Sequence, residues 1–165
     1  MTSLSTVQVR ALLIAAGVAV LVAVVGALAT DIGPWYRQLR QPPWRPPDWL
    51  FGPAWTVIYA CAALAAFWAW VDAPTVKQRD GAVALFALNA LLNVLWSLLF
   101  FRLRRPDWAL WEVAALWLSI ALLIVFCGQW SVRATLLLVP YLLWVAFAAT
   151  LNYSIVRLNA PFPGR

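Results

Sequence analysis

The chain of 165 residues contains no histidine, only six acidic residues and only two cysteines. Without histidine, the commonest metal ligand and the usual general base near neutral pH are both missing. Cys61 and Cys127 each lie deep in an apolar run with no metal-ligand spacing, which reads as two buried small hydrophobes. There is also no Gly-rich phosphate loop, no nucleophile elbow and no pair of carboxylates on one apolar face. Ordinary acid–base or metal catalysis is therefore not expected, and neither is a bound metal or cofactor.

What the chain has instead is apolar surface. Hydrophobic residues make up 65% and charged residues 11%. A soluble domain of this size cannot hide that much apolar area, so the bilayer must serve as solvent. Five runs reach the roughly 20 apolar residues a membrane-crossing helix needs. They fall at about 9–30, 49–71, 81–101, 107–126 and 132–156. The expected fold is an all-α membrane protein, a bundle of five transmembrane helices forming one domain over 1–165. The first run is too long for the apolar part of a removable signal peptide and is expected to stay in the bundle.

The net charge of +6 does not point to nucleic acid, because the basic residues stand in short clusters between the apolar runs. With five spans, Arg37, Arg40, Arg45, Arg102, Arg104, Arg105, Arg157 and Arg165 share one side, against Arg10, Lys77, Arg79 and Arg133 on the other. The positive-inside rule then places the amino terminus outside and the carboxyl terminus in the cytoplasm. The short termini suggest a bacterial inner membrane. Asp48 and Asp107, in the repeated tripeptide Pro-Asp-Trp, are expected to cap the second and fourth spans.

Between the first two spans, residues 35–59 interleave tryptophan, arginine and proline. Pro42, Pro43, Pro46 and Pro47 fix φ and remove donors, so the part before Asp48 is expected to be a stiff, partly extended loop and not a helix. Trp35, Tyr36, Trp44 and Trp49 offer flat apolar faces beside Arg37, Arg40 and Arg45, which suits an aromatic, anionic ligand. The same composition also suits an interfacial aromatic belt.

Polar side chains in lipid turn inward, and their spacing marks the inner faces. On the third span Asn89, Asn93 and Ser97 form one stripe beside Trp96. Trp55 and Tyr59 share a face of the second span, and Tyr141, Trp144, Ala148 and Asn152 share one on the last. These faces can enclose a pocket under the loop, or serve plain interhelical hydrogen bonding. Ala15, Ala19, Ala23 and Ala27 line one face of the first span, and Ala62 and Ala66 one face of the second, for close packing within the bundle or between protomers. Pro140 frees the carbonyl of Leu136 and is expected to kink the last helix. Glu112, inside the fourth span, is expected to pair with Arg102, Arg104 or Arg105.

Three blocks in order carry a resemblance: Trp44-x-Pro46-Pro47-x-Trp49-x-Phe51-x-x-x-Trp55-Thr56-x-x-Tyr59, then Asn93-x-x-Trp96-Ser97-x-x-Phe100-Phe101, then Pro140-Tyr141-Leu142-x-Trp144 with Ala149-Thr150-Leu151-Asn152-Tyr153. From about Trp35 to Asn159 the chain resembles the tryptophan-rich sensory protein and translocator protein family (TspO/MBR), also called the peripheral benzodiazepine receptor family. The resemblance implies a five-helix membrane bundle, commonly a homodimer, that binds porphyrins and haem-related tetrapyrroles, and in some members cholesterol or synthetic isoquinoline and benzodiazepine ligands. It carries pocket roles onto Tyr36, Trp44, Trp55, Asn93, Trp144 and Ala148, beside the inward-facing Tyr59 and Trp96. Leu151, Tyr153 and Arg157 resemble the family's sterol-recognition pattern, a weak signal even where the spacing fits. The stretch before Thr30 departs most from the family and is expected to add nothing to the ligand site.

The expected function is thus a membrane receptor or transporter for tetrapyrroles, with a sensory or regulatory role. In it Trp55, Trp96 and Trp144 stack on the macrocycle, Asn93 bonds a polar substituent and the loop arginines receive propionates. The alternative is an enzyme that degrades bound protoporphyrin in light and oxygen through Trp55 and Trp144. Partners are membrane lipid, the tetrapyrrole and a second copy of the chain, and no nucleic acid.

Overall fold

The computed structural model describes residues 5–162, all of whose regular structure is helical. Arg165, counted above among the positive residues, lies outside the described residues. Helix α1 (Thr6–Ala29) opens with a reciprocal cap: the Ser5 hydroxyl accepts from the Gln8 N–H, and the Gln8 side chain accepts from the Ser5 N–H at 3.0 Å. It stops at Thr30, whose hydroxyl turns back onto the Gly26 carbonyl at 2.8 Å. A short helix α2 (Pro34–Gln38) follows, with Pro34 in its first turn. The segment before Asp48 is therefore not wholly extended, because a proline at the first helical position is pre-set for a helix and lacks a donor that needs no partner there.

Helices α3 (Asp48–Asp72), α4 (Val76–Ser97), α5 (Pro106–Cys127) and α6 (Val132–Asn159) complete the bundle. With α1 they are, among the described residues, the five helices long and apolar enough to cross a membrane. The expected Asp caps do not form: Asp48 and Asp107 both lie inside the first turns, and neither makes a side-chain cap. Each instead pairs with an arginine just before its helix, Arg45 with Asp48 and Arg105 with Asp107. Thr75 and Ser131 are the side-chain caps of α4 and α6, accepting from Gln78 and Ala134 N–H groups at 3.2 and 3.3 Å. Helix α6 runs on through Pro140 to Asn159.

The dry core lies among α3, α4, α5 and α6, where Ala65, Ala69, Ile120, Leu123 and Leu138 are fully buried. Small side chains on α3 let its neighbours come close, but the buried ones are Ala63, Ala65 and Ala69, while Ala62 and Ala66 stay half-buried. Large apolar side chains such as Leu13, Ile14 and Trp111 point outward, as they do when lipid is the solvent. Helix α1 rests mainly on α3 and touches neither α5 nor α6 closely. That one-sided seat leaves a space behind it.

At one end, Asp72 closes α3 onto α6. Its carboxylate accepts from Ser131 at 2.6 Å and from Arg133 at 2.8 Å, while the Trp130 indole donates to the Ala69 carbonyl at 3.0 Å. At the other end, the loop is tied to the end of α6. Arg40 N–H donates to Asn159 Oδ1 at 2.8 Å, and Asn159 Nδ2 donates to the Arg40 carbonyl at 3.0 Å.

Candidate functional site

After Ser97, helix α4 widens into a π-helical turn, Leu98–Arg102, closed by a Leu103 N–H to Leu98 carbonyl bond of 2.9 Å. The wider turn lets two consecutive rings, Phe100 and Phe101, both face inward, with centroids 4.8 Å apart. Tyr36 of α2 sits on both, at 6.3 and 5.5 Å, and Trp96 lies 5.2 Å from Phe100. These rings form one wall of a cavity of about 900 Å³ that α1, α3, α4, α5 and α6 enclose under the loop. Across it stand Trp55 and Tyr59, stacked at 5.3 Å, and Trp144, edge-on to Trp55 at 6.5 Å.

Polar groups in this wall are few and mostly engaged. Tyr59 donates to Asn93 Oδ1 at 2.8 Å, and Asn93 Nδ2 donates to the Tyr141 hydroxyl at 3.0 Å. Asn93 thus faces the cavity with its carbonyl and one amide hydrogen already used, so its first duty is to hold Tyr59 and Tyr141. Trp96 donates to Asn152 Oδ1 at 3.2 Å, and Asn152 Nδ2 donates to the Pro106 carbonyl at 2.8 Å. Trp144 differs: its indole N–H is buried and has no partner among the described residues.

Of the residues expected at the site, Tyr36, Trp55, Tyr59, Asn93, Trp96, Trp144 and Ala148 line the cavity. Trp44 stands outside it, 47% exposed and packed edge-on to Phe147 at 6.0 Å. The three residues of the sterol pattern do not share a face. Leu151 is buried in the cavity wall, whereas Tyr153 is exposed and accepts from Arg157 at 2.9 Å on the outer surface. Asn89 is a plain interhelical link, donating to Ser119 at 2.8 Å.

Two expectations are corrected here. The first concerns α1: Ala16, Ala19, Ala23, Gly26 and Ala27 line the cavity, so Ala19, Ala23 and Ala27 of the Ala stripe border open space and do not serve packing alone. The second concerns Glu112, which has no arginine partner. Arg105 is taken by the nearer Asp107, Arg102 donates to the Leu28 carbonyl and Arg104 lies over the Trp35 ring at 5.8 Å. Glu112 is 8% exposed, and both its carboxylate oxygens are buried without a hydrogen-bond partner among the described residues. Among those residues no three His, Cys, Asp or Glu side chains gather where a metal ion could sit.

With the aromatic cavity and its capping loop in view, the sequence comparisons become specific. The model of the TspO/MBR family matches residues 12–158, from within α1 almost to the end of α6. The chain belongs to the TspO/MBR family. The match begins at residue 12, well before Trp35, and so takes in most of α1. Among TspO/MBR relatives, the Tryptophan-rich protein TspO of Archaeoglobus fulgidus is 40% identical over 132 residues, 80% of this chain and 84% of that protein. The Tryptophan-rich sensory protein of Cereibacter sphaeroides is 38% identical over 128 residues, 76% and 77% of the two chains. The human Translocator protein is 33% identical over 131 residues, 79% and 78%. As a TspO/MBR protein with five apolar helices, the chain is an integral, multi-pass membrane protein.

Proposed function

We propose that the cavity binds a porphyrin or a related tetrapyrrole and that the protein acts as a membrane receptor or transporter for it. The observation that carries this reading is the cavity itself: about 900 Å³, walled by Trp55, Tyr59, Trp96 and Trp144. Its volume lies inside the range of roughly 300–1,000 Å³ typical of small-molecule sites. Flat rings on opposing walls favour a flat aromatic body, and the scarcity of free polar groups favours an apolar one. In this reading Trp55 and Trp144 stack on the macrocycle with their ring faces. Asn93 acts mainly by fixing Tyr59.

The test is quenching of tryptophan fluorescence by protoporphyrin in detergent. The wild type is expected to quench saturably, with weaker affinity in Trp144→Phe and in Asn93→Ala. Non-saturable quenching, or an affinity indifferent to both changes, would mean that these faces serve packing alone.

One observation favours a second reading, light-driven oxidation of bound protoporphyrin with dioxygen as the oxidant. Trp55 and Trp144, both oxidisable, stand 6.5 Å apart in the same wall. Irradiating the complex with and without oxygen separates the two readings: an oxygen-dependent product that disappears in Trp55→Phe supports oxidation, and unchanged porphyrin in air rules it out.

A further inference from the structure

We propose that a small polar chamber beside the cavity is an anion subsite, and that it selects ligands carrying a carboxylate on an apolar body. This rests on the large cavity being a ligand site and specifies the class of ligand. The chamber has a volume of about 220 Å³ and is lined by Ile32, Tyr36, Arg37, Gln41, Arg45 and Asp48. Ile32, Tyr36 and Asp48 line the large cavity as well, so the two spaces share a wall at the loop. A ligand whose body fills the large space can therefore set one substituent in the small one.

The chamber's chemistry is cationic and incompletely satisfied. Two guanidinium groups, Arg37 and Arg45, face a single carboxylate, Asp48. Arg45 is held in place from several sides: its side chain is 17% exposed, it donates to the Tyr36 hydroxyl at 3.1 Å, and it lies over the Tyr36 and Phe51 rings at 5.5 and 5.8 Å. Its Nε is nevertheless buried with no acceptor among the described residues, as is Gln41 Oε1 with no donor. Arg37 uses its Nε on the Ile32 carbonyl at 3.2 Å and has no carboxylate at ion-pair distance among the described residues. A carboxylate entering the chamber meets the pre-positioned terminal nitrogen of Arg45 that now holds Asp48, with Arg37 beside it.

Asp48 is the built-in competitor. It pairs with Arg45, but its side chain is 63% exposed, whereas that of Arg45 is not. A ligand carboxylate can take its place on Arg45 while Asp48 turns to water, so the exchange leaves no charge buried and alone. A neutral ligand, a sterol for example, leaves the Arg45–Asp48 pair as it is and gains nothing from the chamber. The pair sits where the loop enters α3, so the same exchange ties the loop to the ligand.

The experiment compares protoporphyrin with its dimethyl ester, which keeps the macrocycle and removes both negative charges, by saturable tryptophan quenching at one fixed salt concentration. The acid is expected to bind the wild type about tenfold more tightly than the ester, the gain of one charge-assisted contact partly screened at the loop. Arg45→Gln should bring the ratio close to one. Asp48→Asn should raise it, with a gain in affinity for the acid that a misfolded variant would not produce. Equal affinity of acid and ester in the wild type, or a ratio that neither variant moves, overturns the subsite while leaving the porphyrin cavity standing. Absence of saturable binding for both compounds overturns the subsite and the proposed function together.

Discussion

Asn89 and Asn93 are one turn apart on α4, both buried, and they do different work. Asn89 reaches across to Ser119, whose hydroxyl is itself bonded to the Leu116 carbonyl at 2.7 Å, and does not line the cavity. Asn93 holds two tyrosine hydroxyls, one of them in the cavity wall. Replacing Asn89 by alanine is therefore expected to lower stability in detergent by about 0.5–2 kcal/mol, the range for hydrogen bonds between membrane helices. Protoporphyrin affinity should stay where it was. Thermal unfolding and the quenching titration, run on the same preparation, check both halves. A loss of affinity in Asn89→Ala would mean that the two amides act as one network. Glu112 makes no hydrogen bond to this network or to any other described residue, and no pattern in the sequence marks it as unpaired. Proximity along the chain points to Arg102, Arg104 or Arg105, but Asp107 holds Arg105, the Leu28 carbonyl engages Arg102 and the Trp35 ring lies under Arg104.

At the scale of elements, the helices that read clearly are those with a contrast between faces. Helices α3, α4 and α6 carry aromatic and amide residues at helical spacing against an otherwise aliphatic background, so Trp55, Asn93 and Trp144 could be turned inward from the sequence alone. Beyond Arg10, helix α1 is alanine, valine, leucine, isoleucine and glycine on every side, and with no polar residue along that stretch nothing tells the cavity wall from the lipid face. The π-helical turn after Ser97 was equally hidden, because the phenylalanine pair it accommodates fits an ordinary apolar helix just as well. Capping was misjudged for a related reason: Asp after Pro suits either the cap or the first turn, and a neighbouring arginine decided for the first turn. Contacts between elements test the part the sequence left open. Asp72 binds α6 through Ser131 and Arg133, so Asp72→Ala should destabilise the bundle by about 1–3 kcal/mol, the effect of removing one partner from hydrogen bonds with a charged group. Equilibrium unfolding in detergent measures it, and a change near zero would show that the α3–α6 contact stands on packing alone.

The whole molecule is a bundle with unlike ends. Four helices close a dry core pinned at one end by Asp72, while at the other the fifth helix, α1, stands off far enough to leave the aromatic cavity beneath a loop fastened to Asn159. Small residues on α1 are what keep that space open: Ala19 and Ala23 line it, and a large side chain at either position would fill it without disturbing the dry core. Ala23→Phe therefore separates the cavity from the fold more cleanly than changes to the aromatic wall, whose residues also pack. The measurement that bears most directly on the account is a protoporphyrin quenching titration of Ala23→Phe beside the wild type, with helical circular dichroism and thermal unfolding as controls. We predict that the variant keeps its helical signal and its unfolding midpoint while saturable quenching is lost. Wild-type affinity in a folded Ala23→Phe protein would contradict the account, because the ligand would then have to bind somewhere other than the space between α1 and the rest of the bundle.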